Sequence, residues 1–360
     1  MFKIKFLPAR FGDAIWIEYG TMKAPHRLLI DGGTAGTRRA ILNEFQKIPS
    51  DQRRLDLLVI SHIDRDHIEG ILGLLARDDP GFTVDDVWFN GWSHLPEDLA
   101  SEDLSFGALQ GEKLSGHLMR LDWSWNSAFN GEAVYVPERG PLPQVNLSGG
   151  MRITLLSPTL KALAELRPKW EKEVRDANLH PGFELAANDD TPAEEEVSFG
   201  VEELPEVEAL AEIDYEPDQS EANASSIALM AEFDGKRVLL TADAHAETLF
   251  AALDRLFPQE RIPIDLYKIS HHGSKYTTRR ELLEKVDCPR YVFSTNSSIF
   301  RHPDMETVAR VVTTAGEPNH LIFNYHSSQT TVWDHPSLKE QYGYITNFPE
   351  AQEQGIVVDL

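Results

Sequence analysis

Between His62 and His67 the chain sets two histidines and two aspartates within one short stretch, His62-Ile63-Asp64-Arg65-Asp66-His67, directly after the apolar run Leu57-Leu58-Val59-Ile60. An apolar run between polar neighbours reads as a buried strand. The spacing of Ile68, Ile71, Leu72 and Leu75 beyond it reads as a helix. The four polar side chains therefore fall on a strand-to-helix loop, where side chains converge and the helix N-terminus adds backbone donors. Imidazole and carboxylate at such close quarters are what borderline and hard divalent cations require. A solvated turn would not need that combination.

A chain of 360 residues can bury one large core, or one core with a smaller appended subdomain. No stretch approaches the roughly 20 consecutive apolar residues of a membrane span. The start, Met1 to Leu7, alternates like a strand and has no signal-peptide apolar block. Cys288 is the single cysteine, so no internal disulfide can form; a reducing cytoplasm is the expected location and a structural role the expected one for the thiol. The net charge of -24 is unevenly spread. No Lys or Arg occurs from Asp176 to Gly235, and Glu184 to Glu221 alone holds about fifteen acids. An acidic surface argues against non-specific wrapping of duplex nucleic acid, which depends on Lys and Arg displacing counterions. A local basic groove is still compatible with Arg38, Arg39, Lys275, Arg279, Arg280 and Arg301, which lie near the motifs.

Strands are predicted over 3–7, 14–19 and 27–30, a helix over 38–46, the strand at Leu57 and a short strand at Val87 to Phe89. From about 91 to 149 the pattern weakens. This stretch, with Trp92, Trp123, Trp125 and Phe129, reads as an inserted lobe over the site whose aromatics belong mainly to the core. A strand at 151–156 and a helix at 160–174 precede the acidic insert of 184–221, which reads as a mobile spacer. Strands at 226–233 and 237–240, joined by the hairpin signal Asp234-Gly235, open the second half. Helices over 246–256, 279–285 and 304–315 then alternate with strands over 265–269, 291–294, 320–324 and 330–333. Strands bunched in each half with helices between them predict two packed sheets with helices outside.

Polar clusters also stand at the ends of other predicted strands. Asp31 follows Leu28-Leu29-Ile30, and Asp243 follows Val238 to Ala242. His271-His272-Gly273-Ser274 follows Leu266 to Ser270, and Asn296 follows Val292 to Thr295, with His302-Pro303 shortly after. Several such clusters at strand ends imply one polar site along one edge of the sheets.

The order Asp31, His-x-Asp-x-Asp-His, Leu-Leu-Thr-Ala-Asp and His-His-Gly-Ser resembles the metallo-β-lactamase fold superfamily, from Met1 to about Trp333. With Asp64 in place of a second histidine, Asn223-Ala224-Ser225-Ser226 and Arg301-His302-Pro303, the chain is most similar to the nuclease-like domain of the ComEC family of DNA-uptake channels, without the channel. Phosphorylcholine esterases of the same fold share similar motifs. The resemblance implies an α/β, four-layer αββα sandwich over 1–335 with the two insertions, and 336–360 as a C-terminal extension.

It also implies a metal-dependent hydrolase with two divalent ions, Zn2+ or Mn2+. His62 and Asp64 would hold the first ion, Asp66 and His67 the second, and Asp243 would bridge them. One of His271 and His272 would complete the second site, with His272 the preferred ligand, while the other faces the substrate phosphate. Asn223 stands where many relatives carry a histidine, which would leave the first site weaker, oxygen-rich and suited to Mn2+ as well as Zn2+. Asp31 would orient the ligand loop or merely form a turn, and Asp13 is similarly ambiguous. Lys275, Arg301 and Asn296 would contact substrate, and His302 would protonate a leaving oxygen or hold a phosphate. The expected chemistry is attack of a metal-activated hydroxide on a nucleic-acid phosphodiester, with Asp66 orienting the nucleophile and His302 or His271 assisting departure. Two other readings stay open. One is a small-molecule phosphodiesterase, esterase or lactonase, favoured by the acidic charge. The other is a non-catalytic metal-binding module that meets a protein partner through the aromatic lobe or the acidic insert.

Overall fold

The computed structural model describes residues 1–96, 108–176, 204–316 and 318–360. Alternation in the first strand, Phe2–Phe6, buries Phe2, Ile4 and Phe6 and leaves Lys3 and Lys5 half-buried. Pairing sets Phe2 opposite Tyr19, Ile4 opposite Ile17 and Phe6 opposite Ile15, so one face of both strands is apolar. The first sheet runs Ile356–Asp359, Phe2–Phe6, Ile15–Thr21, Ala24–Ile30, Leu57–Val59, Val87–Trp88. The second runs Tyr344–Asn347, Asn319–Phe323, Arg290–Phe293, Leu266–Lys268, Lys236–Leu240, Ala228–Phe233, Arg152–Ser157, Gln144–Asn146.

The alternation divides the first sheet between two cores. Ile4, Ile17, Leu28 and Val59 join Ile153, Leu229 and Leu239 of the second sheet in one apolar cluster. Trp16, Leu29 and Leu58 turn the other way, onto Ile41 and Phe45 of helix Arg38–Gln46 and Ile71 and Leu74 of helix Arg65–Leu75. Rings of Phe2 and Tyr19 meet Phe233 across the gap, at 5.9 and 5.3 Å between centroids. Helices Ala246–Leu256 and Met305–Thr314 extend the intersheet cluster through Leu249, Leu253, Val308 and Val311. The result is the αββα sandwich that the sequence predicted.

The central strands are parallel in both sheets, and Leu57–Val59 and Leu266–Lys268 are buried along their whole length, as covered parallel strands must be. Their C-terminal ends open on one edge, where ligand sites of α/β sheets form. Helix Arg65–Leu75 is drawn onto that edge by backbone bonds: Gly32 N–H donates to the His67 carbonyl at 2.7 Å, and Gly70 N–H to the Gly33 carbonyl at 3.0 Å. The approach is close enough that a Cβ at Gly70 would lie 1.9 Å from the Gly32 carbonyl oxygen, and one at Gly12 would lie 1.8 Å from that of Asp66.

Several expectations change. Thr330 to Trp333, expected as a strand for its β-branched and aromatic residues, is helical over Ser328–Thr331 and Val332–Asp334. Ser327 forms a capping box with Thr330, and these local side-chain bonds override strand propensity. Residues 336–360, expected to extend beyond the domain, supply an edge strand to each sheet, Tyr344–Asn347 and Ile356–Asp359. Part of the acidic insert is built into the fold: helix Val207–Ala211 buries Val207 and Ala211, and Arg310 donates to the Ile213 carbonyl at 2.9 Å. The remainder of that insert, 184–203, lies outside the described residues. In the aromatic lobe, Trp92, Trp123 and Trp125 pack on the helix-side core and Phe129 on the intersheet core, and helix Ala108–Leu121 runs through the lobe.

The close helix approach is testable. Gly70→Ala should cost about 1–3 kcal/mol in denaturant unfolding, because backbone must move. Gly316→Ala, where an added methyl meets nothing within 4 Å, should unfold near the wild-type midpoint.

Candidate metal centre

Each strand that ends on the open edge delivers one part of the site. Ala24–Ile30 leads to Asp31, Leu57–Val59 to Ser61 through His67, Lys236–Leu240 to Asp243, Leu266–Lys268 to His271 and His272, and Arg290–Phe293 to Ser294. These turns are strained. Asp31, Ala242, His271, His272 and Arg301 have left-handed backbone, with φ between 45 and 58°. Non-glycine residues hold such conformations only where the surroundings over-determine them, typically at functional sites. Here His271 N–H donates to the Ala242 carbonyl at 2.9 Å, and Thr241 Oγ1 donates to the Lys268 carbonyl at 2.6 Å, which locks the two loops together.

Asp243 is the hub. Its Oδ2 lies 3.3 Å from His67 Nε2, 3.6 Å from His272 Nε2, 3.8 Å from His271 Nε2 and 4.0 Å from His62 Nε2. On one side Asp66 Oδ2 stands 3.3 Å from His272 Nε2 and 3.9 Å from His67 Nε2. On the other, Asp64 Oδ2 is 3.6 Å from His62 Nε2. Two poles share Asp243, one with Asp66, His67 and His272, the other with His62 and Asp64 and with His271 nearby.

The far ring nitrogens are occupied in a way that aims the near ones. His67 Nδ1 donates to Asp31 Oδ2 at 2.8 Å. Ser61 Oγ donates to the same oxygen at 2.7 Å, and so accepts from His62 Nδ1 at 2.9 Å. Ser61 N–H donates to Asp31 Oδ1 at 2.7 Å. One buried carboxylate thus sets two imidazoles and the start of the ligand loop, which gives Asp31 its orienting role as well as a turn. His272 Nδ1 donates to the Ser294 carbonyl at 2.9 Å.

The donors fit a cation. His62, His67 and His272 Nε2 and Asp243 Oδ1 are buried and have no hydrogen-bond partner. Buried polar atoms are normally satisfied, so a group of orphans aimed at one point marks a place for an ion. Ligand atoms of Asp13, His67, Asp243 and His272 lie within 4.8 Å of one another.

Proton affinities follow from this crowding. Burial would depress the imidazole of His67, but Asp243, Asp31 and Asp66 raise it well above the ordinary value. Burial is likewise outweighed at His272, which Asp243 and Asp13 push up to about 9, and at His271, raised by Asp243 and Asp218. For Asp243, burial opposes ionisation, yet the surrounding imidazoles hold it well below the carboxylate range; Asp66 is lowered in the same way by His67 and His272.

Asp13 is fully buried in an ion pair with Lys268 and lies 3.6 Å from His272 Nδ1; Lys268 holds its carboxyl down despite burial. It therefore braces the back of the site. Asn223 donates to Asp218 Oδ2 at 2.7 Å, and its own Oδ1 is an orphan. Burial lowers the proton affinity of His302 even with Asp304 Oδ2 at 3.5 Å from its Nδ1. His271 has a raised proton affinity, and its side chain is 22% exposed, against 0–1% for the other three imidazoles. Lys275, expected on substrate, pairs with Glu306 at 3.0 Å. Arg301 is exposed, and Asn296 shapes its loop by accepting from Ser298 Oγ at 2.8 Å. Of the expected basic groove, Arg279 pairs with Glu281, Arg280 with Glu212, and Arg38 donates to the Gly73 carbonyl.

Two contributors escaped the sequence reading. Asp218, 3.3 Å from His271 Nδ1, lies in the stretch read as an acidic spacer, and its carboxyl is held down to about 2. Lys268 hides in an apolar run; a charge within Leu266 to Ile269 was the available signal.

No family model matches the chain, and no curated protein is detectably similar. Among solved structures it is similar to the diiron β-hydroxylase CmlA of Streptomyces venezuelae, at 13% identity and TM-score 0.42, covering 100% of this chain and 54% of that one. The chain thus spans about half the length of that protein. A diphosphatase of the PhnP family matches at 12% identity and TM-score 0.36, over 97% of this chain and 83% of that one. Among the described residues no helix is long and apolar enough to cross a membrane.

Two outcomes are expected. Asp31→Asn should weaken divalent-ion binding about 10- to 100-fold in titration calorimetry, because the aiming hydrogen bonds are lost. The raised imidazoles stabilise the metal-free fold below their unfolded pKa of about 6.5, and that contribution is lost as pH rises through the folded value, about 9 for His272. The melting temperature of metal-free protein should therefore fall from pH 6.5 to 9.5. Added Mn2+ should restore it most at the alkaline end, with proton release on binding near neutrality.

Proposed function

We propose that this chain is a metal-dependent phosphodiesterase that cleaves nucleic acid. The observation that carries this reading is the two-pole set of orphaned nitrogens around Asp243 at an open strand edge. His62, Asp64 and Asp243 would hold one divalent ion, and Asp66, His67, His272 and Asp243 the other. Bound there, such ions supply Lewis-acid activation of water and polarisation of the phosphoryl oxygens.

The chain's own residues do the rest. Asp31, Ser61 and the Ser294 carbonyl keep three imidazoles in the tautomer with a free Nε2. Asp66, held ionised by His67 and His272, accepts a hydrogen bond from the attacking water and orients it. His271, held at Nδ1 by Asp218 and more accessible than its neighbours, delivers a proton from Nε2 to the departing oxygen. The sequence likeness to the ComEC nuclease-like domain supports a polynucleotide substrate, while the acidic surface argues against non-specific wrapping of duplex.

The test is a panel of circular and linear nucleic acids and a chromogenic phosphodiester, each with Mn2+, Zn2+ and Mg2+. Divalent-ion-dependent cleavage of polynucleotide should fall at least 100-fold in Asp66→Ala and in His62→Ala. His271→Ala should lower kcat more for an alkoxide leaving group than for nitrophenolate, which departs without a proton. Turnover restricted to the chromogenic compound would move the substrate to small phosphodiesters. Turnover of carboxylic esters or lactones alone would overturn the phosphodiesterase reading.

A further inference from the structure

Beside the metal centre the surface opens into a polar pocket of about 760 Å³. Arg10 and Arg39 line it with Asn296, Ser298 and Ser328, and Glu353 is the one acid among the lining residues. In a chain with 58 acids and 34 Lys and Arg this is a local inversion of charge. Arg39 makes no hydrogen bond or ion pair to any described residue, whereas Arg38, Lys275, Arg279 and Arg280 all have partners. Leaving a cation unpaired in so acidic a protein favours an anionic ligand at that spot.

The pocket is continuous with the reaction centre. Arg10 N–H donates to Tyr325 Oη at 2.8 Å, and the Arg10 carbonyl accepts from Asn296 N–H at 2.8 Å, so the loop from Arg10 to Asp13 joins the pocket to the metal site. Three residues span at most roughly 11 Å between Cα atoms. Against that loop stands Phe300, 56% exposed, stacked on His302 at 6.0 Å and edge-on to Phe11 at 6.2 Å. The His302 ring is in turn 5.4 Å from that of His271. An exposed aromatic backed by two rings is a stacking platform, and an arginine pocket beyond it takes a phosphate. That alternation matches the base and phosphate of a single strand.

We infer that the Arg10–Arg39 pocket binds a phosphate that flanks the scissile one in a single-stranded polynucleotide, with the intervening base stacked on Phe300. The inference rests on the phosphodiesterase reading of the metal centre, and binding is measured separately from cleavage so that each can fail alone.

A labelled, cleavage-resistant phosphorothioate 12-mer is titrated by fluorescence anisotropy into the full-length, Mn2+-loaded protein over a series of salt concentrations. Arg39→Glu should weaken binding about tenfold and Phe300→Ala about fivefold or more. Arg39→Ala should reduce the slope of log affinity against log salt by about 0.7, the value for one phosphate contact on a single strand. Arg39→Lys should restore most of the affinity, which a merely structural arginine would not predict. Thermal melts establish that each variant is folded. Wild-type affinity in both Arg39→Glu and Phe300→Ala would overturn the inference. So would a 12-mer that binds no tighter than a phosphorylated mononucleotide, since the pocket would then hold a terminal phosphate. A protein that hydrolyses the chromogenic diester but does not bind the 12-mer sinks the pocket assignment and keeps the phosphodiesterase. Arg39-dependent binding with no hydrolysis of any substrate does the reverse.

Discussion

A carboxylate cannot be buried without something to replace its water, and at Asp243 four imidazole nitrogens stand within 4.0 Å of one oxygen. That concentration of opposite partners is what keeps the carboxyl ionised against a large burial penalty. It also explains why His67, His271 and His272 hold protons more firmly than an ordinary imidazole: the same cluster that prepares a cation site must be neutralised by protons otherwise. Metal and proton compete for one set of nitrogens. The strained turns at Ala242, His271 and His272 are maintained by this cluster and by the bonds that join their loops.

Behind the cluster lies a layer of supporting groups. Asp31 aims His62 through Ser61 and His67 directly, the Ser294 carbonyl aims His272, and the Lys268–Asp13 ion pair fills the space beneath. A buried ion pair contributes little net stability once both charges are desolvated. Its value here is positional, since Asp13 stands 3.6 Å from His272 Nδ1 while Asp66 and Asp243 approach Nε2. The open face can then be read outward: buried imidazoles first, the partly exposed His271 next, then His302 and Phe300, and finally the arginine pocket.

Much of the site was legible because its signals are local. The stretch from His62 to His67 carries its ligands in one loop, and Asp31, Asp243 and the His271-His272 pair each follow an apolar strand. Where the sequence reading failed, the deciding partner was remote. Asp218 looked like one more acid in a spacer until folding brought it to His271. Thr330 to Trp333 has the composition of a strand, and a Ser327 cap made it helical. The tail beyond 335 lacked any signal that both sheets would take an edge from it.

From composition and order alone, the layered α/β architecture and the identity of the ion-seeking side chains were already determined, because hydrophobic periodicity and the chemistry of imidazole and carboxylate need no knowledge of distant neighbours. Tertiary structure decided which nitrogen points inward, which of His271 and His272 lies deep beside Asp66, which cations are already paired, and where an unpaired arginine meets an open pocket. Those are properties of through-space distance and desolvation. They come into being only when strand ends far apart in the chain are brought to a common edge.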